Sequence, residues 1–444
     1  MIPTRESSSK EGSSLNRLFV FAGLILCSGV AQAETWVRCG AVIDVDAGER
    51  LGAHTVILAE GKVAELRQGH PDWAGEVERI DLSSLTCLPG LMDMHTHLTS
   101  QMGPSSYIEG FTLNEADVAL RGAEYARKTV EAGFTTVRDL GDSFNASIAL
   151  RDAIDAGRIP GPRIFTSAKS LATTGGHADP TNGWRFDLAG DPGPREGVLN
   201  GVAEARAAVR QRYKDGADLI KITATGGVLS VAASGDNAQF RMDELEAVIR
   251  TAADYGMRVA AHTHGAEGMR RAVEAGIHSI EHGTYMTDEI MELMSEKGTW
   301  LVPTISAGKF VAEKAEVEGF FPPVVAAKAR RIGPVIQETF SRAHAASVPI
   351  AFGTDCGVCP HGSNAKEFGY MVEAGMTPAD ALRTATINAA RLLGREEELG
   401  RLQPGYAADL IAVEGNPLDD VTILEDVRFV MLDGQVFVDV PATD

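Results

Sequence analysis

Residues 88–97 read Leu88-Pro89-Gly90-Leu91-Met92-Asp93-Met94-His95-Thr96-His97. The Pro-Gly pair marks a turn, and the apolar run after it has the length of a buried strand. The run closes on two imidazoles at i and i+2, which share one face of a strand. Working outward, the same signature recurs. Lys221 sits in Leu219-Ile220-Lys221-Ile222, and His262 in Ala261-His262-Thr263-His264-Gly265. His282 sits in Ser279-Ile280-Glu281-His282-Gly283, and Asp355 in Gly353-Thr354-Asp355. Each falls where a short apolar run gives way to Gly, Ser or Thr. Separate strands therefore deliver His95, His97, Lys221, His262, His282 and Asp355 to one point, a candidate metal site.

The rest of the chain alternates in the same rhythm. Strand-like runs fall at residues 90–97, 135–140, 163–168, 219–225, 258–264, 278–283, 300–305 and 349–355. Helical patterns follow nearly all of them, among them 115–132, 202–213, 243–255 and 268–275. Eight strand–helix repeats over roughly three hundred residues predict an α/β fold of the (β/α)8 TIM-barrel type. A doubly wound open sheet is the competing architecture. It is disfavoured by the lack of a Gly-x-Gly-x-x-Gly turn after the first strand. In a barrel, reactive groups gather at the C-terminal ends of the strands, where the six residues fall. Short strands at 34–88 and 400–444, with Asp433-Gly434 as a hairpin turn, predict a small β-sandwich domain built from both chain ends around a barrel of 89–399. The stretch 175–197, rich in Gly, Pro and Asp, reads as a long loop and a pocket wall.

Residues 1–33 read as an export signal. Lys10 and Arg17 precede the apolar run 18–26, and Ala31-Gln32-Ala33 offers a small-x-small cleavage site. A secreted or periplasmic location follows, with no membrane contact in the mature form. The 444-residue chain carries a formal net charge of -20. That excess of acid argues against a nucleic-acid or anionic-membrane partner. Export permits disulfides. Cys39 and Cys87 can pair if their strands are neighbours, and Cys356 and Cys359 read as either a short disulfide or two free thiols.

Imidazole and carboxylate are natural ligands for zinc or a similar divalent ion. Lysine is the odd member, because an ammonium binds no metal. A buried, deprotonated lysine can instead react with carbon dioxide to form a carbamate, which bridges two ions as a carboxylate does. The alternative, an ordinary exposed lysine, fits poorly with the apolar residues around Lys221. Two ions sharing a water lower its pKa toward neutrality. Asp355 at such a water is the candidate catalytic group, taking the proton and passing it to a leaving amine. That chemistry suits amide, ester or ring-amide hydrolysis of a small-molecule substrate.

The segments 88–97, 279–283 and 353–355, with Gly405-Tyr406-Ala407-Ala408-Asp409-Leu410, resemble the amidohydrolase superfamily. The likeness covers nearly the whole chain after residue 33. Lys221 before Thr225-Gly226-Gly227-Val228, and the run 261–265, look like its binuclear prolidase and carboxypeptidase branch, which includes ochratoxin-hydrolysing amidases. The resemblance implies two zinc ions per subunit, with other divalent metals open. His95, His97 and Asp355 would hold one ion, His262 and His282 the other, and carboxylated Lys221 would bridge them. It also implies a homo-oligomer, some relatives being octamers. The implied reaction is cleavage of the last amide of a dipeptide or N-acyl L-amino acid, ochratoxin A to ochratoxin alpha and phenylalanine included.

Two further histidines are candidate substrate-binding residues. His264 shares a face with His262 and reads as pocket lining, as an alternative ligand, or as a structural histidine. His177, in Thr173-Thr174-Gly175-Gly176-His177, matches a histidine that contacts the substrate carboxylate in related carboxypeptidases; an ordinary loop histidine is the competing reading. One rival function is a mononuclear deaminase or imidazolonepropionase-like cyclic amide hydrolase, which lacks the bridging lysine. Another is a non-catalytic binding protein, which would have lost ligands.

Overall fold

The structure, a computed structural model, describes residues 34–73 and 75–440. The export signal expected over 1–33 lies outside the described residues.

Both chain ends feed one sheet. Strands Thr35–Asp44, Glu49–Leu51, His54–Ala59, Lys62–Gln68 and Glu78–Pro89 join Leu410–Val413, Phe429–Leu432 and Gln435–Asp439 in an eight-stranded array. Glu78–Pro89 pairs parallel with Thr35–Asp44 and antiparallel with Leu410–Val413, so it stitches the two ends together. Val37, Val56, Leu58, Leu82, Phe429 and Met431 belong to this sheet's own apolar cluster. Cys39 and Cys87 are disulfide-bonded within it. The Asp433-Gly434 turn has positive φ at both residues (49° and 80°), as a tight two-residue hairpin demands.

Glu78–Pro89 runs through Gly90 directly into Leu91–Thr96, so the sheet hands the chain to the first strand that carries candidate ligands. Gly90 has no substitute there, because a Cβ would lie 2.2 Å from Thr135 Oγ1. Leu91–Thr96, Phe134–Asp139 and Arg163–Thr166 form one parallel sheet. Ile220–Thr223, Val259–Thr263, Ser279–His282 and Trp300–Val302 form another. Helices such as Glu115–Glu131, Gly201–Asp215 and Met242–Asp254 separate successive strands, as parallel connections require. Glu115–Glu131 buries Val118, Gly122, Ala126, Thr129 and Val130, a stripe at helical spacing.

One expected strand differs. Residues 349–355 form no regular strand; Ile350 bridges Leu301 and Cys356 bridges Thr96. Pro349 brings no N–H to a ladder. Asp355 ends the run in a left-handed turn at φ 58°. Between Trp300–Val302 and this segment come three helices, Ile305–Lys314, Pro323–Ile332 and Ile336–Ala345. No helix among the described residues is long and apolar enough to cross a membrane.

Candidate metal centre

The backbone N–H of Asp355 donates to His95 O at 2.7 Å, which brings residues 349–355 onto the end of the first strand. Asp355 Oδ1 then lies 3.2 Å from His97 Nε2 and 3.5 Å from His95 Nε2. Ligand atoms of the three residues fall within 4.8 Å of one another. The protons are placed by what the far nitrogens touch. His97 Nδ1 is 2.8 Å from Gly141 O, and a carbonyl only accepts, so Nδ1 carries the proton. His95 Nδ1 donates to Glu281 Oε2 at 2.9 Å in the same way. In the neutral rings both Nε2 atoms turn lone pairs toward the buried Asp355 Oδ1; burial works against a charge on His97, but Asp355 raises its pKa. Such a convergence of acceptors is unfavourable alone and fits a divalent cation.

Lys221 adds an unusual fourth group. Its Nζ lies 3.4 Å from His95 Nε2, and the side chain is 3% exposed. Burial pushes its pKa down to about 8, although Glu281 and Asp355 pull the other way. Burial also opposes the charge on Asp355, yet His95, His97 and Lys221 together hold its carboxyl below the usual range.

His262 and His282 lie alongside, outside the group of three. Their ring centroids are 4.6 Å apart, and His282 is 5.0 Å from His95. His262 Nε2 donates to Gly226 O at 3.2 Å, leaving Nδ1 as its free lone pair. His282 Nδ1 lies 2.7 Å from Thr304 Oγ1. Burial, then nearby positive charge, holds both imidazoles well below their ordinary pKa, so both are neutral donors. His264 packs 4.6 Å from His262, with Nδ1 2.7 Å from Thr284 Oγ1. The His177 ring stacks on His262 at 4.4 Å, and its buried Nδ1 has no partner. All eight expected site residues line one cavity of about 770 Å³. Asp179 and Trp184 from the long loop after Arg163–Thr166 line it too, as does Leu229.

The chain matches the model of the Amidohydrolase family over residues 86–437. It belongs to that family. Ochratoxinase of Aspergillus niger is 36% identical over 431 residues, covering 92% of this chain and 86% of the relative. A solved Xaa-Pro dipeptidase with methionine bound in its active site is 49% identical, with a TM-score of 0.89 over 91% of this chain and 99% of the other. A prolidase complexed with N-methylphosphonate-L-proline is 30% identical, with a TM-score of 0.84 over 91% and 99%. This amidohydrolase is thus a hydrolase acting on amide bonds.

Three residues that support the centre, Glu281, Arg138 and Asp93, escaped the reading of the sequence. Glu281 accepts from His95, from Arg138 at 2.8 Å and from the Ser279 hydroxyl at 2.6 Å. Burial opposes its charge, but Arg138 and His95 hold the carboxyl down to about 2. Glu281 and His282 are neighbours on a strand and ought to face opposite ways. The φ of 69° at His282 breaks the alternation, so both reach the centre. The detectable signal was a carboxylate and a guanidinium inside apolar runs, each needing a buried partner. Asp93 likewise ties the two ends of the site, accepting from Thr354 Oγ1 at 2.6 Å and Asn364 Nδ2 at 2.8 Å.

Proposed function

We propose that this amidohydrolase is a binuclear zinc enzyme that hydrolyses the C-terminal amide bond of dipeptides or N-acyl L-amino acids. The observation that carries the proposal is Lys221, a buried lysine of lowered pKa set against His95 Nε2. His95, His97 and Asp355 would hold one ion, and His262 and His282 the other. A bridging ligand must be anionic, and a neutral lysine amine supplies one by adding carbon dioxide and releasing a proton. Bound ions would supply an acidified water and an electrophile for the substrate carbonyl.

The chain's own groups do the rest. Asp355, whose carboxyl is held ionised at the centre, would take the water proton and return it to the leaving amine. Glu281 fixes the His95 ring with its Nε2 lone pair toward the centre. His177 and His264, neutral because burial lowers both to about 3, offer hydrogen bonds to substrate without adding charge. The relatives' names, ochratoxinase and Xaa-Pro dipeptidase, support an amide whose released half is an amino acid. Ochratoxin A, an acyl-phenylalanine, fits that description. A mononuclear deaminase has no use for Lys221, and a non-catalytic member has no reason to keep every ligand.

Three further readings travel with the proposal. The strands form a closed (β/α)8 barrel over 89–399; bridges Leu171 to Ile222, Leu301 to Ile350 and Thr96 to Cys356 support the closure. Residues 34–88 and 400–444 form the small β domain. The mature protein works outside the cytoplasm as a homo-oligomer. A screen of the zinc-loaded enzyme against N-acyl amino acids and dipeptides, including N-acyl-phenylalanine and Xaa-Pro, tests the function. Release of a free L-amino acid is expected. Hydrolysis confined to cyclic amides or to deamination would contradict it.

A further inference from the structure

Lys328 lies on the helix Pro323–Ile332 and is 5% exposed. An ammonium has three donors. All three are used on backbone carbonyls of one loop: Gly227 O at 2.8 Å, Ser230 O at 2.6 Å and Ala232 O at 2.8 Å. A buried cation is costly unless dipoles or a counter-ion compensate it. Here the compensation comes from the loop itself, so the ammonium and the loop conformation depend on each other.

That loop follows Ile220–Thr223, the strand of Lys221, and it touches the centre twice. The Gly226 carbonyl accepts from His262 Nε2 at 3.2 Å, which leaves His262 Nδ1 as the free donor atom. Gly227 seats His177 so closely that a Cβ at 227 would fall 2.3 Å from its ring. From the opposite side, the Tyr107 hydroxyl donates to Leu229 O at 2.9 Å.

We propose that Lys328 is a positioning residue for the metal centre: it gathers the loop 226–232 so that Gly226 orients His262 and Gly227 seats His177. The inference rests on the binuclear reading, but two of its readouts need no substrate turnover. Wild type, Lys328→Met and Lys328→Arg are compared by amide hydrogen exchange and by competitive zinc titration, with kcat and KM measured alongside. In Lys328→Met, exchange rises selectively over residues 226–238. Affinity for one of the two zinc equivalents falls about 10–100-fold, the usual cost of losing a group that orients a ligand. KM rises as His177 loses its seat. Lys328→Arg keeps a buried cation and is the variant that decides the matter if the methionine protein does not fold. It shows the same selective changes to a smaller degree. Wild-type exchange over 226–238 with both zinc affinities unchanged in a folded variant overturns the inference. So does a uniform rise in exchange across the whole chain, which marks general destabilisation. If no acyl amino acid is cleaved by the wild type, the function fails, while exchange and zinc binding still decide the role of Lys328.

Discussion

Asp355 combines a free oxygen with a strained backbone. Its Oδ1 has no hydrogen-bond partner, and its φ of 58° is a conformation that favours glycine. A few kilocalories of such strain persist where the surroundings impose them, commonly at functional sites. Asp355→Asn keeps the size and removes the proton acceptor. We expect a folded protein with hydrolysis reduced by about 10²–10⁴-fold, checked by circular dichroism and steady-state kinetics. Retention of wild-type turnover would remove Asp355 from that role. Glu281 calls for a different test, because it binds Arg138 and His95 together. Breaking a buried ion pair costs about 3–5 kcal/mol. Glu281→Gln should therefore lower the thermal midpoint and weaken zinc binding about 10-fold or more. An unchanged midpoint with full zinc affinity would show that the pair does neither. At this scale, His95, His97, Lys221, His262, His282 and Asp355 were legible because each is a chemically distinctive side chain closing an apolar run. Glu281, Arg138 and Lys328 were not, because their partners lie about a hundred residues or more away: Glu281 with Arg138 and His95, Lys328 with Gly227.

Among the elements, Glu78–Pro89 and its continuation Leu91–Thr96 join the terminal sheet to the candidate metal centre. The Cys39–Cys87 disulfide closes a span of 48 residues within that sheet. Chain-entropy estimates for a loop of that size reach about 4 kcal/mol, and measured values commonly fall to about 2. Replacing both cysteines with alanine should lower the urea unfolding free energy by that amount while zinc binding persists. No loss of stability would mean that the sheet is fully specified without the bond. Strand positions were legible from short apolar runs between turn residues, and seven of the eight central runs contain an assigned strand. The eighth was legible in place but not in form, because Pro349 and the turn at Asp355 interrupt its ladder. Helical pattern was expected after nearly every run, but the three helices Ile305–Lys314, Pro323–Ile332 and Ile336–Ala345 were not placed individually. The apolar faces of the first two, including Val311, Val325, Ala329 and Ile332, pack with Val228 and Val358 from two separate loops, a tertiary relation that no local period announces. Whether Cys356 and Cys359 pair was open in the sequence. They are bonded, in the turn that begins at Asp355.

At the scale of the molecule, one cavity of about 770 Å³ joins the candidate ligands to an apolar wall, space enough for an acyl group beyond a single amino acid. Chelation should abolish hydrolysis and zinc should restore it, as followed by release of phenylalanine from an N-acyl-phenylalanine. Hydrolysis that persists after verified metal removal would rule out the mechanism. The central claim, that Lys221 bridges a two-ion centre, is tested most directly by zinc content. Purified, zinc-equilibrated wild type should hold about two equivalents per chain, and folded Lys221→Ala should lose that stoichiometry. A well-folded wild-type protein that takes up no zinc, or a Lys221→Ala protein that still holds two equivalents as tightly, would contradict it.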